Sequence, residues 1–246
     1  MAIDLDALRA KHAELTKAAG GGNSNDFLNN FYQVQEGTNV IRILPSASED
    51  KEFYAETKIH RVPDNEGNIR NHHCMRHQGE NCPLCDTYFA LWKTKRKEDE
   101  DTARQIKPRS RYYMNVVDRE SGEVRILSIG VILFQKIIGA MLDEDYGDIT
   151  DPENGHDFKI IKVMDGKWPK YDQSQPRPKP SPTGSKKEVA EWMESLHDIY
   201  ALVKKEDYAD LKKVAECVMP STQGSPVPED ISEDVSDNDY LSKLKS

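Results

Sequence analysis

Short runs in which apolar and polar residues alternate occur through the first two thirds of the chain and predict strands. The runs lie at residues 31–44, 52–59, 114–117, 123–129 and 158–163. A period of two is that of a strand with one buried face. Turn-forming sequences at Glu36-Gly37, at residues 64–67 and at residues 119–122 separate several of these runs, so we expect a sheet of short strands.

Apolar residues spaced by three and four predict helices, most of them in the second half of the chain. The clearest helix covers residues 188–205, a second covers residues 131–142, and a third covers residues 204–219. In the third, Cys217 is expected to be a small buried apolar residue. Residues 98–101 are all acidic, and we expect them to form a solvated, mobile loop.

The composition indicates that part of this 246-residue chain lies outside a compact core. Hydrophobic residues make up 37% of the chain and the mean hydropathy is −0.77, both low for a globular domain of this length. The first twenty residues lack the pattern of a signal peptide, and no apolar run has the length of a membrane span. We therefore expect a soluble, cytoplasmic protein without a membrane partner.

The distribution of charge changes what the overall negative charge means. A net charge of −9 argues by itself against a nucleic-acid-binding protein. However, residues 229–239 contain six acids and no base, whereas the bases concentrate at residues 93–111 and 159–179. We expect the folded part to be less acidic than the whole chain, so the net charge does not exclude nucleic acid.

Three of the four cysteines lie close together, at Cys74, Cys82 and Cys85. The Cys-x2-Cys spacing lets two thiolates occupy adjacent positions of a tetrahedral metal site, and Cys74 supplies a third ligand. We predict a Cys3His zinc site followed by a helix. The alternatives are reduced thiols in a loop, or a disulfide with one spare cysteine. The sequence offers four histidines as the remaining ligand: His60, His72, His73 and His77.

A cation-rich segment that leads into two tyrosines indicates binding to unpaired nucleic acid. Its cations are suited to phosphates, and its rings are suited to stacking on bases. The alternative is a solvated loop whose tyrosines enter the core, and one tyrosine must do so because neighbours on a strand face opposite ways. The residues are Arg104, Lys107, Arg109, Arg111, Tyr112 and Tyr113.

A second segment places Trp168 and Tyr171 on either side of Lys170, ahead of a proline-rich stretch. Exposed aromatic side chains beside positive charge stack on unpaired bases. The alternative is that Trp168 closes the edge of the core.

Several of these segments, in their order along the chain, resemble the family of replicative single-stranded-DNA-binding proteins of T-even-like tailed phages. The resemblance covers about residues 27–220. No single motif is diagnostic, but the ordered set is specific. It consists of VIRILPS at residues 40–46, His60, Cys74, CPLC at residues 82–85, KPRSRYYMNVV at residues 107–117, GVILFQKIIGAM at residues 130–141 and KWPKYD at residues 167–172.

The resemblance implies an α+β fold in which an OB-fold β-barrel core carries an inserted structural zinc subdomain and C-terminal helices. The core would span residues 23–220, with the zinc subdomain at about residues 55–100. Residues 1–22 would form an N-terminal arm for self-association, and residues 221–246 an acidic, disordered tail. This arm is not basic at its start, unlike that of the family, which puts cooperative binding through it in doubt.

The resemblance also assigns site residues. In the family, one structural Zn2+ is held by three cysteines and a histidine upstream of them, which here selects His60 with Cys74, Cys82 and Cys85. The family's DNA cleft adds Arg42 to the basic and aromatic residues named above. One family ring is missing, because Leu127 stands in the return strand where an aromatic residue is expected.

The function expected from these features is a non-enzymatic coat on single-stranded DNA, with no catalytic residues. Its partners would be single-stranded DNA, neighbouring protomers through the arm, and replication and recombination proteins through the tail. One alternative is a zinc-ribbon module that binds another protein and no nucleic acid. A zinc-dependent nuclease or deaminase is disfavoured because a shell of three cysteines and one histidine is closed and leaves no open position on the metal.

Overall fold

A computed structural model describes residues 29–48, 50–64, 66–166 and 168–218. The predicted N-terminal arm and acidic tail lie outside the described residues. Within these ranges, the predicted α+β fold with a barrel-like sheet, a metal-site subdomain and C-terminal helices is confirmed. No helix in the described ranges is both long enough and apolar enough to cross a membrane.

The described residues form eight strands that are joined by antiparallel pairing. The sheet order is β3-β2-β4-β1-β6-β7, with β5 on β4 and β8 on β6. The strands are β1 Gly37–Ile43, β2 Tyr54–Pro63, β3 Ile69–His73, β4 Arg109–Asp118, β5 Val124–Ile129, β6 Phe158–Asp165, β7 Trp168–Lys170 and β8 Gln175–Pro176.

Strand β4 organises the sheet because it has three partners. One edge of β4 pairs with β5, and the other edge pairs first with β2 and then, near its end, with β1. The sheet is curled as a half-barrel. Its concave core contains Tyr112, Met114 and Val116 from β4, together with Ile41 and Ile43 from β1.

Five helices lie in the described part of the chain: α1 Pro83–Lys93, α2 Lys97–Ile106, α3 Val131–Met141, α4 Lys186–Glu194 and α5 Tyr208–Val218. Helix α3 matches its predicted span closely. Its apolar face contributes Leu133, Phe134 and Ile137 to the main core. The helix predicted to follow the cysteine cluster is also present, as α1.

The prediction of a mobile loop at residues 98–101 was wrong. These acids form the first turn of α2, where the N-terminal end of the helix dipole stabilises negative charge. Asp99 is buried and accepts a hydrogen bond of 2.8 Å from Nε of Arg96. An acidic run therefore marks a helix start here.

The helix predicted at residues 188–205 is shorter than its apolar pattern suggests. A capping box between Ser185 and Glu188 begins α4, but the helix ends at Glu194. The Asn115 side chain holds the backbone of His197 at both its N–H and its carbonyl, each at 3.0 Å, which draws the chain out of the helical path. The prediction that Cys217 is buried was also wrong, since it is exposed on α5.

Arg42 does not line a cleft, and the DNA contact predicted for it is corrected. Its side chain has 0% exposure, and burial lowers its pKa while Asp157 counteracts that shift. The guanidinium donates to Oγ1 of Thr183 at 3.1 Å and to the carbonyls of Asp151 and Ser181 at 3.1 and 2.6 Å. Arg42 thus fastens two loops to the convex face of β1.

We predict that Arg42→Ala lowers the free energy of unfolding by about 2–4 kcal/mol, because it removes buried, charge-assisted hydrogen bonds. The measurement is urea denaturation. Arg70→Ala is the control: Arg70 is 68% exposed in its ion pair with Asp64, so its loss should cost less than about 1 kcal/mol. Equal effects of the two substitutions would contradict the fastening role.

Candidate metal centre and nucleic-acid interface

Three elements, β2, β3 and α1, bring a histidine and three cysteines into one cluster, defined here as the metal centre. His60 lies on β2, and Cys74 directly follows β3, which pairs with β2. Cys82 is the N-cap of α1 and Cys85 lies in its first turn. The Pro83 ring fits the first helical position, where no N–H partner is needed, so the Cys-x2-Cys sequence itself begins the helix.

The ligand atoms have the separations of a tetrahedral site. Sγ of Cys74 lies 3.4 Å from Sγ of Cys85, and Nε2 of His60 lies 3.6 Å from Sγ of both Cys82 and Cys85. All four donor atoms lie within 4.8 Å of one another, and all four residues are buried. A tetrahedral ion with bonds of about 2.0–2.3 Å needs ligand separations of about 3.4–3.8 Å, so this donor set fits a metal ion.

A hydrogen bond on the far side of His60 orients its ring. Nδ1 lies 2.7 Å from the carbonyl of Ile106, the last residue of α2. When Nδ1–H donates to this carbonyl, Nε2 presents its lone pair to the cysteines, which is the usual outer support of a metal-bound histidine. The bond also ties the metal centre to the residue that precedes Lys107 and the basic end of β4.

Neighbouring groups shift the pKa values of two residues of the metal centre, His60 and Cys82. Burial lowers the pKa of His60, but contacts with Cys74 and Cys82 and with the Ile106 carbonyl outweigh it and raise the pKa to about 9. Hydrogen bonds with Cys74 and Cys85 lower the pKa of Cys82. Because a bound metal needs thiolates and a free Nε2, metal and protons compete for the same atoms.

An apolar shell of its own surrounds the metal centre. Leu84, Tyr88 and Leu91 of α1 pack in it with Leu211 and Ala215 of α5. Ala103 and Ile106 of α2 belong to the same apolar cluster, so the packing around the metal centre includes residues from outside the predicted range 55–100.

The other candidate histidines lie outside the cluster. Glu206 accepts a hydrogen bond from the backbone N–H of His73 at 2.9 Å and lies 3.9 Å from Nδ1 of His72. His77 is exposed on the 3-10 helix Met75–Gln78. The structure thus brings together the four residues selected by the family resemblance, although three histidines lie nearer the cysteines in sequence.

Basic and aromatic residues share the face of β4 that is turned away from the main core. Arg109, Arg111 and Tyr113 alternate with the buried Tyr112 and Met114, as the period of a strand requires. Arg61 lies on the same face of the paired strand β2, and its charge acts on Arg111.

Tyr171, from a distant part of the sequence, packs against the main core and interacts electrostatically with Arg111 of this face. Burial raises the pKa of both Tyr113 and Tyr171, and the charge of Arg111 counteracts the shift in each. Arg111 therefore lies within electrostatic reach of two rings. We refer to Arg61, Arg109, Arg111, Tyr113 and Tyr171 as the cation–ring surface.

Tyr112 is the tyrosine of the pair that enters the core, so the base contact predicted for it is corrected. Its ring stacks on Phe134 with centroids 3.7 Å apart, and its hydroxyl donates to Glu56 at 3.2 Å. A ring that is 8% exposed and stacked on Phe134 is not available to a base. The sequence contained a signal for the burial of Tyr112, because Tyr112, Met114 and Val116 are spaced by two residues and therefore share one face of the strand.

The remaining predicted residues are not members of the cation–ring surface. Arg104 pairs with Glu100 and Asp101 on its own helix, and its guanidinium lies 5.5 Å from the ring centroid of Trp92. Lys107 is half-buried at the end of α2. Trp168 is 73% exposed, and Lys170 pairs with Asp165 at 2.5 Å. Arg61 was missed in the sequence, because only the pairing of β2 with β4 brings it to this face.

Comparison with known proteins supports a nucleic-acid-binding role for this arrangement. A family model described as "gp32 DNA binding protein like" matches residues 35–219. No curated protein matches the chain. The matched region includes the metal centre, the cation–ring surface and nearly all of the described residues.

We predict that His60→Ala and Cys82→Ser each abolish metal retention and lower Tm, because each removes one buried donor of four. The measurements are metal content by plasma mass spectrometry after dialysis, and thermal unfolding. His73→Ala and His77→Ala are the matched controls and should retain a full equivalent of metal. If His77→Ala lost the metal and His60→Ala retained it, the fourth ligand would be one of the histidines nearer the cysteines, and not His60.

Proposed function

The chain belongs to the gp32-like family of DNA-binding proteins, and on that premise we propose that it binds and coats single-stranded DNA without catalysis. The observation that carries this proposal is the cation–ring surface. It combines charge for phosphates with rings for bases, and it draws these residues from β2, β4 and the segment after β7. We further propose roles for the coat in replication, recombination and repair.

The physical basis of binding would be electrostatic contact combined with stacking. Arg61, Arg109 and Arg111 would follow the phosphates, and Arg104, Lys107 and Lys170 would extend this positive charge. Tyr113, Tyr171 and the exposed Trp168 would stack on bases, at about 1–3 kcal/mol per ring and with little dependence on sequence. Because only the unpaired strand can offer its base faces, binding would shift duplex equilibria toward open strands by mass action.

We propose that the metal is one structural Zn2+, because three thiolates and one imidazole form a closed tetrahedral shell that suits zinc. Bound there, the ion would supply folding energy to the small subdomain. The hydrogen bond from His60 to the Ile106 carbonyl would also fix the position of the backbone at Lys107 and at the start of β4. Metal would thus support the basic face without touching DNA.

The two terminal segments would regulate DNA binding and recruit other proteins. We propose that residues 1–22 associate with neighbouring protomers and that residues 221–246 recruit replication and recombination proteins, with residues 23–220 as the binding core. The acidic tail would also compete with DNA for the basic surface. The proposed location is the cytoplasm, or the host cytoplasm if the protein is viral.

A zinc-ribbon module that binds only protein is the competing function. Arg76 and Arg104 each lie over an exposed aromatic ring of α1, at 5.3 and 5.5 Å from the centroids of Phe89 and Trp92. Such a surface also suits a protein partner. The two functions differ in whether DNA alters the environment of Trp168.

We predict that Trp168→Ala weakens binding to a dT oligonucleotide by about 5- to 150-fold, the loss expected for one stacked ring. Binding is measured by fluorescence anisotropy of a labelled dT10. Trp192→Phe is the control, because Trp192 is half-buried and donates to the Gly122 carbonyl at 2.9 Å. Unchanged tryptophan emission and anisotropy at low salt would reject single-stranded DNA binding.

We predict that Arg111→Ala reduces the slope of log K against log salt by about 0.7, the value for one phosphate contact on a single strand. The same titrations are repeated at several salt concentrations. Arg42→Met should leave the slope unchanged, because Arg42 is buried. If Arg42→Met lowered the slope and Arg111→Ala left it unchanged, Arg42 and not Arg111 would be the phosphate contact.

A further inference from the structure

The hairpin formed by β6 and β7 extends beyond the rest of the sheet. β1 pairs with β6 as far as Lys162, and β7 pairs with β6 only from Val163 onward. Residues 163–166 and 168–170, which we call the ribbon, therefore have two strands and no further sheet neighbour in the described residues. Three residues beyond the last sheet pair correspond to an extension of about 10 Å.

The ribbon exposes several apolar side chains beside the charged Asp165 and Lys170. Val163, Met164 and Trp168 are 49%, 39% and 73% exposed. Met164 lies opposite Pro169 and forms one face with it, whereas Trp168 lies opposite Asp165 on the other face. A two-stranded hairpin has little stability of its own, and contiguous exposed apolar side chains mark a binding site in a soluble protein.

The position of the ribbon identifies its occupant as DNA. The chain leaves the ribbon at Lys170 and reaches Tyr171, which packs on the main core and lies within reach of the Arg111 charge. The ribbon is therefore joined directly, at Lys170, to one ring of the cation–ring surface. Lys170 adds positive charge at its base, although Asp165 pairs with it. A strand that lies along the surface would meet the ribbon where it leaves the protein.

We propose that the ribbon is a wedge that engages the last base pair of a duplex where the duplex meets a single strand. The inference rests on the proposed single-strand binding and goes beyond it, because it assigns recognition of a junction. The Met164–Pro169 face stacks on the terminal base pair, and Trp168 stacks on the first unpaired base. Small apolar side chains separate base steps in other DNA complexes, at a cost of a few kcal/mol per step.

The wedge changes how a duplex opens. Mass action captures only strands that have already separated, whereas a wedge stabilises the junction itself and holds the terminal pair in a partly unstacked state. Binding then depends on the presence of a duplex end, and not only on the length of single strand.

The test compares dT10 with the same ten thymidines extending from a short hairpin duplex whose terminal base pair carries 2-aminopurine. We expect the full chain to bind the junction about tenfold more tightly than dT10, which corresponds to about 1.4 kcal/mol, and to increase 2-aminopurine fluorescence. Met164→Ser should abolish both effects while its affinity for dT10 stays within about twofold. Leu142→Ser is the matched control, since Leu142 is 80% exposed at the end of α3, and it should behave as the unsubstituted chain.

Three results would overturn the wedge. They are equal affinity of the unsubstituted chain for the junction and for dT10, a junction preference that survives in Met164→Ser, and equal losses on both substrates. Sedimentation velocity on the same samples identifies a second copy as the occupant if Met164→Ser alone dissociates a dimer. In each of these results the unsubstituted chain still binds dT10, whereas absence of dT10 binding in the unsubstituted chain would instead reject the proposed function.

Discussion

The pairing of β4 with three other strands is the constraint on which the structure depends. One edge pairs with β5 over residues 112–117, and the other pairs with β2 and then with β1, so the strand is held along almost its whole length. Its even residues then must fill the core, and its odd residues must face away from it. The basic face is consequently positioned by backbone hydrogen bonds and core packing rather than by contacts of the long side chains themselves.

The metal centre is linked to the N-terminal end of β4, where the pairing with β2 begins. His60 belongs to β2, the partner of that end, and its ring also holds the Ile106 carbonyl just before the strand. A net charge of −9 is compatible with this local arrangement because short-range placement of cations outweighs distant charge once salt screens separations beyond about 10 Å.

Local patterns in the sequence were sufficient where a local cause determines the structure. Alternation located β1, β2, β4, β5 and β6, and three-and-four spacing located α3, because burial of one face governs both. The short strands β3, β7 and β8 were not predicted. Local patterns failed where a residue distant in sequence determines the structure. Asn115 binds the backbone just after α4, and the loops around Asp151 and Thr183 cover Arg42. The pairing of His60 with the cysteines needed the family resemblance, since spacing favoured His72, His73 or His77. The burial of Tyr112 could have been read from the parity of β4.

Helix α5 has a consequence for the order in which the protein matures. The ligands of the metal centre are complete by Cys85, but the apolar cover from Leu211 and Ala215 comes from the last helix of the described chain. A chain emerging from the ribosome can therefore acquire its ion long before the shell around it closes. Until α5 docks, the apolar side of α1 stays open to water, and it is there that an incomplete chain is most exposed to chaperones, proteases and aggregation.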